Sequence, residues 1–253
     1  MNLLEVENLS VSFYRPEGEI EAVKNASFSL REGEILAIMG ETGCGKSVLC
    51  KSILKLLPDI ARIKAGHVSI RGEEITGYSE KQMQKLRGRY FSMVFQNPMT
   101  ALNPCMSVGE QITEAVRLRQ PQLSRRERRQ RSLELMELVG LDHPEDRAGQ
   151  YPFKMSGGMA QRCVTAIALA AEPSVLFADE ATTALDVTVQ AQILELFLML
   201  RKRMGMSIVL VTHNPGVAAR TADRVALMRE GELYRVGDVE EIFEEMIHDQ
   251  NFE

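Results

Sequence analysis

The stretch that most constrains this chain is Gly40–Ser47, a loop of the pattern GxxxxGK followed by Ser or Thr. The apolar run ILAIMG before it predicts a strand, and VLCKSILKLL after it predicts a helix. A strand, a glycine-rich loop and a helix in this order are the context that a phosphate-binding loop requires. Its glycines let the backbone wrap phosphate oxygens, its lysine reaches the β and γ phosphates, and its serine hydroxyl ligates Mg²⁺. The predicted phosphate-binding residues are Gly40, Glu41, Thr42, Gly43, Cys44, Gly45, Lys46, Ser47 and Val48.

Polar side chains also follow three apolar runs of strand length. Gln96 ends FSMVFQ, Asp179 and Glu180 end VLFADE, and His213 ends SIVLVTH. Parallel α/β sheets bind ligands at the carboxyl ends of their strands, so this coincidence favours one functional site. We expect Asp179 to hold Mg²⁺ through water and Glu180 to act as general base. Gln96 is expected to be a ligand of Mg²⁺ and to sense the γ-phosphate. Considered without the other strand ends, the acidic pair and His213 each have a helix cap as the alternative interpretation.

A second glycine-rich segment, MSGGM at 155–159, precedes a run that predicts a helix from Met159 to Ala171. Bare backbone N–H groups and the helix dipole favour an anion at such a helix start. The chain therefore carries two predicted anion sites, although a single nucleotide needs one phosphate loop.

Composition narrows the class of protein. The net charge of −5 gives no general reason to expect a nucleic-acid partner. The four cysteines form no CxxC pair, which argues against a disulfide framework or a zinc site and fits the cytosol best. The N-terminal residues lack the basic start and apolar block of a signal peptide, and the longest apolar stretches are too short to span a bilayer.

The pattern of strands and helices predicts an α/β fold with a P-loop core. Short runs of alternating apolar and polar residues, up to Leu36, indicate an N-terminal antiparallel β-subdomain. Strand signals disappear after about residue 97, where amphipathic helices indicate an inserted helical subdomain at about 97–160. We expect one ATPase-type domain over 1–253, with its core formed by 1–96 and 161–253.

The predicted helical insertion contains a basic run of five arginines, which is followed by the apolar positions Leu133, Met136 and Leu138. A solvated helix face is the favoured interpretation, and contact with nucleic acid or lipid headgroups is the alternative. The arginines are Arg125, Arg126, Arg128, Arg129 and Arg131.

Taken together, the motifs resemble those of ABC-type ATPases, in the order typical of that family and over nearly the whole chain. The matching segments are GETGCGKS (Walker A), Gln96 (Q-loop), MSGGM (signature), VLFADE (Walker B), ALD at 184–186 (D-loop) and His213 (H-loop). In this family two ATPase domains pair head to tail, and the signature of one closes over the γ-phosphate held by the other. The resemblance therefore implies that Ser156, Gly157 and Gly158 contact the ATP of a partner, and that Asp186 of the D-loop also binds nucleotide. It also implies Gln96 and His213 at the γ-phosphate, with ATP and Mg²⁺ as cofactors.

The same resemblance places an aromatic side chain from the N-terminal strands against the adenine ring. Phe13 matches the family position best, and Tyr14 is the neighbouring alternative. A core phenylalanine on a half-buried strand is almost as good an interpretation of Phe13.

Three longer segments resemble the peptide and nickel import branch of the family, namely FQNPMTALNP, YPFKMSGGMAQR and TTALDVTVQAQIL. The resemblance implies a peripheral ATPase on the cytoplasmic face of the inner membrane. Its expected partners are permease subunits, a second related but distinct ATPase subunit and, indirectly, an extracytoplasmic binding protein. The cargo, whether nickel, a metal chelate or a peptide, stays open because permease and binding protein select it.

Three features depart from that branch. Ala181 replaces a proline, Asn214 replaces an aspartate, and a His-Pro-Tyr-Thr segment with a cysteine-bearing tail is absent. The third departure weakly favours metal-type members.

Two rival functions are considered: an ABC ATPase without a transport role, and a nucleotide-gated binding subunit with little turnover. The first usually carries two ATPase domains or a coiled coil, and retention of Glu180 and His213 argues against the second.

Overall fold

The structure, a computed structural model, describes residues 2–182 and 186–248. Its strands, in chain order, are β1 (Asn2–Arg15), β2 (Gly18–Arg31), β3 (Ile35–Met39), β4 (Ala61–Ile70), β5 (Glu73–Glu74), β6 (Phe91–Val94), β7 (Val175–Asp179), β8 (Ser207–Thr212), β9 (Arg224–Arg229) and β10 (Glu232–Asp238). Its helices are α1 (Lys46–Ile53), α2 (Glu80–Leu86), α3 (Pro98–Ala101), α4 (Val108–Arg119), α5 (Arg125–Leu138), α6 (Pro144–Ala148), α7 (Gly157–Leu169), α8 (Val187–Met204), α9 (Pro215–Thr221) and α10 (Val239–His248). None of the helices in these ranges is both long enough and apolar enough to cross a bilayer.

The chain divides into two compact units. The first unit comprises Met1–Lys85 and Met204–Glu253, and the second comprises Leu86–Arg203. In the first unit, eight strands lie side by side in the order β5-β4-β1-β2-β10-β9-β3-β8. The β1, β2 and β4 strands pair antiparallel, whereas β3 pairs parallel with both β8 and β9. The antiparallel N-terminal part predicted from sequence is thus confirmed.

Burial along these strands follows the sequence pattern. In β1, Leu4 and Val6 are buried while Glu7 is exposed, as expected for a strand with one buried face. A register shift between Val6 and Leu9 then moves the alternation by one residue, and Asn8 at this bulge has a φ of 49°. All residues of β3 and β8 are buried, as is usual for parallel strands covered on both faces.

In the second unit, β6 and β7 pair parallel, with Phe91 opposite Val175. The Phe91 and Phe177 rings meet edge to face with centroids 6.1 Å apart, a favourable aromatic geometry. Residues 97–160, every one of which is described, form helices and turns without a strand. A helical segment was expected here, and its limits as a separate subdomain stay a prediction.

A buried ion pair in the first unit gives a test of stability. Arg224 lies 3.1 Å from the carboxylate of Glu34, and the two side chains are 14% and 5% exposed. Arg224→Ala should lower the free energy of unfolding by about 3–5 kcal/mol, because it leaves a buried carboxylate without its cation. Urea unfolding of the full chain measures this loss.

The matched control is Arg235→Ala, which breaks the exposed pair between Arg235 and Glu245. Exposed pairs contribute about 0–1 kcal/mol, so this variant should unfold nearly as the unchanged protein does. Equal losses in the two variants would mean that burial of the Glu34 carboxylate is not what makes Arg224 important.

Candidate functional site

The loop at 40–45 connects β3 to α1 and fits tightly against neighbouring backbone. A Cβ atom on Gly40 would lie 2.0 Å from the carbonyl oxygen of Met228, and one on Gly45 would lie 2.4 Å from that of Ala22. Gly45 also has a φ of 112°, a backbone conformation that side chains disfavour. A larger residue at either position would therefore force the loop to move, whereas glycine lets it curl.

Lys46 is buried beneath this loop, with 3% of its surface exposed. Its Nζ atom donates hydrogen bonds to the carbonyl oxygens of Gly40, at 2.8 Å, and Glu41, at 2.7 Å. The ammonium is therefore fixed inside the curl of the loop. Gly45, the N-cap of α1, offers no side-chain acceptor to the first turn of that helix. A curled glycine backbone, a fixed cation and a helix start without a side-chain cap are the features that phosphate groups require.

The acidic pair at the end of β7 has an unusual backbone. Asp179 is the last residue of the strand and is 4% exposed. Glu180 follows with a φ of 47°, a left-handed conformation that costs a residue other than glycine about 1 kcal/mol or more. Such strain concentrates at functional sites, since the surrounding structure must maintain it.

Gln96 meets Glu180 directly within the second unit. The Gln96 Nε2 atom donates a hydrogen bond of 2.9 Å to Oε2 of Glu180. Two residues that lie 84 positions apart, each selected from sequence as a strand-end polar group, are thus brought together. The β6 strand ends at Val94, two residues before Gln96, and is therefore shorter than the predicted strand FSMVFQ.

His213, in the first unit, is exposed and directly follows β8. The next residue, Asn214, caps α9, with its side-chain oxygen accepting from the N–H groups of Gly216 at 2.9 Å and Val217 at 3.4 Å. An amide oxygen performs this capping as an aspartate would, which explains why Asn214 is tolerated after the histidine. Ala181, another of the three departures, is buried, with 2% of its surface exposed.

The second glycine segment forms the start of α7. Ser156 is the N-cap, and its Oγ atom accepts from the N–H of Met159 at 3.3 Å. Ser156 and Gly157 are exposed, so the first turn of the helix is open to an approaching anion. The helix begins at Gly157, two residues before the predicted start at Met159, because the serine cap includes both glycines in the first turn.

Gly158 packs against the start of α8 and thereby joins two predicted site segments. A Cβ atom on Gly158 would lie 2.6 Å from Cγ1 of Val189. Asp186 accepts a hydrogen bond of 2.9 Å from the N–H of Val189 through Oδ1. Sequence reasoning missed Val189, since an apolar residue in the first turn of a helix carries no signal of its own. The other two residues of ALD, 184 and 185, lie outside the described residues.

A thiol behind the signature is held in its neutral form. The Cys163 Sγ atom lies 3.5 Å from Sδ of Met155, and burial raises the pKa of the thiol to about 12. Cys163 therefore packs as an apolar residue and supplies no nucleophile.

The two candidates for adenine stacking differ in exposure. Phe13 is half-buried and lies opposite Ile20 in β2. Tyr14 is 46% exposed, and its backbone N–H donates to the carbonyl of Ile60 at 2.8 Å. Both rings belong to the end of β1, so the choice between them stays a prediction.

Comparisons with known proteins test the resemblance to ABC-type ATPases. The family model described as ABC transporter matches residues 23–183. The oligopeptide transport ATP-binding protein OppD of Bacillus subtilis is 49% identical over 97% of this chain and 69% of that protein. The dipeptide transport ATP-binding protein DppD of the same organism is 47% identical over 97% of this chain and 73% of that protein. The glutathione import ATP-binding protein GsiA of Escherichia coli is 44% identical over 96% of this chain and 40% of that protein.

Solved structures agree with this grouping. An ATP-binding cassette solved as a dimer in a post-hydrolysis state, bound to ADP and Pi, superposes with a TM-score of 0.83 at 29% identity. The match covers 93% of this chain and 98% of that one. The structure of cbiO1 from Clostridium perfringens gives a TM-score of 0.82 at 29% identity, over 97% and 92% of the two chains. The chain therefore belongs to the ABC transporter family, as one of its ATPase domains.

Proposed function

We propose that this chain hydrolyses ATP to drive a membrane importer of the peptide class. The observation that carries the proposal is the hydrogen bond between Gln96 and Glu180, with Glu180 held in a left-handed conformation directly after the buried Asp179. This arrangement fixes a carboxylate at a strand end, where a general base for water is needed. Relatives named for oligopeptide, dipeptide and glutathione import favour peptides as cargo. The names of those relatives mention neither nickel nor a metal chelate, the other cargoes left open by the sequence.

Each loop residue has a proposed role in binding the nucleotide. Lys46 donates its ammonium protons to the β and γ phosphate oxygens, in place of the loop carbonyls that accept them here. The backbone from Gly40 to Val48 surrounds the phosphates. Mg²⁺, when bound, would neutralise phosphate charge, and its proposed holders are Ser47, Gln96 and Asp179. Phe13 or Tyr14 stacks on the adenine.

In hydrolysis, a water oxygen attacks the γ-phosphorus and loses a proton, while the bond between that phosphorus and the bridging oxygen of ADP breaks. Glu180 accepts that proton through a carboxylate oxygen, and its hydrogen bond to Gln96 holds the carboxylate in one orientation. Gln96 and His213 are proposed to contact the γ-phosphate. His213 is exposed and directly follows β8, at the strand end where ligands bind in parallel sheets.

The signature is proposed to serve the nucleotide of a partner ATPase domain. Support comes from the exposure of Ser156 and Gly157 at the open first turn of α7. The post-hydrolysis cassette similar to this chain was solved as a dimer. Asp186, which caps α8 beside Gly158, is proposed to join the same contact. The partner is proposed to be a related but distinct ATPase subunit.

Further partners follow from the family. We propose permease subunits that carry the membrane spans, and an extracytoplasmic binding protein that delivers cargo to them. The chain then works as a peripheral subunit on the cytoplasmic face of the inner membrane, with no nucleic-acid partner.

Cargo-stimulated hydrolysis tests the proposal. The chain, its permease subunits and the second ATPase subunit are placed in liposomes, and phosphate release is measured with a peptide-loaded or a nickel-loaded binding protein. Stimulation by the peptide-loaded protein alone is the expected result. Stimulation by nickel alone would reassign the cargo. Hydrolysis that no loaded binding protein changes would favour an ABC ATPase without a transport role.

A further inference from the structure

A cavity of about 820 Å³ lies within the helical part of the second unit, lined by residues of α4, α5 and α6. This volume falls in the range of small-molecule sites. No residue to which the proposed ATPase cycle assigns a role lines this cavity.

Three of the five arginines of the basic run face this cavity. Arg125, Arg128 and Arg129 stand at i, i+3 and i+4 on α5, so they share one face of that helix. Arg126 is not among the lining residues, and Arg131 instead pairs with Glu134 and Glu172. The arginines of the run therefore separate into a group that lines the cavity and a group that does not.

The acidic residues that line the cavity make no ion pair with these three arginines. Arg117 of α4 is 3.5 Å from Glu114, the one ion pair among the lining residues, all of which are described. Glu110 accepts hydrogen bonds from the N–H and hydroxyl of Ser107, which it uses to cap α4. Glu145, the remaining lining carboxylate, is not within 4.0 Å of an arginine nitrogen. Three guanidinium groups thus face one cavity without a carboxylate in contact.

Arg128 also carries a donor that finds no acceptor. One of its terminal nitrogens donates to the carbonyl of Pro121 at 2.7 Å, but its Nε is buried without a hydrogen-bond partner. A buried donor without an acceptor is unfavourable, and more so in a charged group. Arg128 therefore keeps one donor that the described residues do not satisfy.

We propose that this cavity binds a ligand through a phosphate group, held by Arg125, Arg128 and Arg129. Guanidinium groups pair with phosphate oxygens through two parallel hydrogen bonds each, which makes arginine well suited to such groups. Three guanidinium groups without a carboxylate in contact, within two helical turns, favour a ligand with more than one negative charge, such as a phosphate dianion. The phosphate belongs either to a soluble small molecule or to the headgroup of an anionic lipid.

Titration with inorganic pyrophosphate tests the site. The chain carries Lys46→Ala throughout, which removes the cation of the other phosphate loop, and calorimetry measures binding. Adding Arg125→Ala with Arg129→Ala should weaken binding at least about tenfold, since two of three guanidinium groups are lost. Adding Arg126→Ala, a matched arginine that does not line the cavity, should leave affinity unchanged. Hydrogen exchange of the Lys46→Ala chain should show protection by pyrophosphate at α4 and the start of α5.

Sedimentation with phosphatidylglycerol vesicles separates the two sources of phosphate. Binding of pyrophosphate that depends on Arg125 and Arg129 supports a soluble ligand. Vesicle binding with the same dependence, and none of pyrophosphate, supports a lipid headgroup. Absence of both, equal affinity in the double variant and the Arg126→Ala control, or hydrogen-exchange protection elsewhere would overturn the proposal.

Discussion

Glu180→Gln should slow ATP hydrolysis by the assembled transporter about 10²- to 10⁴-fold while leaving ATP binding at least as tight. This loss corresponds to about 3–5 kcal/mol in the activation barrier. Glutamine keeps the size of the side chain, and its amide oxygen still accepts the hydrogen bond from Gln96, but it cannot take a proton from water. The substitution also removes one negative charge that would face the γ-phosphate. Phosphate release and equilibrium nucleotide binding give the two quantities.

Lys46→Ala provides the contrast for this experiment. Lys46 places a buried ammonium inside the glycine loop, so its loss should remove nucleotide binding and hydrolysis together. If Glu180→Gln kept near-normal turnover in the full transporter, Glu180 would not be the base. Catalysis would then depend on His213 or on the site of the partner subunit.

Ser156→Arg should leave ATP binding to the isolated chain intact and abolish turnover in the assembled transporter. Ser156 is an exposed N-cap, so a long cationic side chain there obstructs the first turn of α7 without filling the core. The isolated chain binds its own nucleotide through the loop at 40–47, which the substitution does not touch. Nucleotide titration of the isolated chain and phosphate release from the assembly measure the two effects.

Ser156→Ala separates obstruction from the loss of the cap. It removes the hydrogen bond to Met159, worth about 1 kcal/mol of helix stability, but adds no bulk or charge. We expect it to retain more turnover than Ser156→Arg. Loss of ATP binding in the isolated Ser156→Arg chain, to the same extent as the loss of turnover, would contradict a signature that acts on the nucleotide of a partner.

The parts of the fold that sequence predicts well are those with strong local patterns. The loop at 40–47 has the predicted strand before it and helix after it, because its glycines permit a backbone that other residues resist. Boundaries are less certain: α7 begins at Gly157, since a serine cap outweighs the poor helix propensity of two glycines.

Other parts of the site depend on contacts between distant residues, which a local pattern does not contain. The strand-end rule selects Gln96 and Glu180, but the hydrogen bond between them and the left-handed Glu180 require the folded second unit. Val189 becomes relevant only because α8 begins beside Gly158. The arginine-lined cavity needs α4 and α6 placed against α5, which the basic run in the sequence does not indicate.

ATP-dependent pairing of the Glu180→Gln chain tests most directly whether this ATPase works through composite sites. The chain is mixed with the second ATPase subunit, and light scattering after size-exclusion chromatography gives the mass of the complex with and without MgATP. A stable pair that forms with MgATP, and is lost on adding Ser156→Arg, is the expected result. A chain that binds MgATP but elutes alone, with its partner present and hydrolysis blocked, would contradict it.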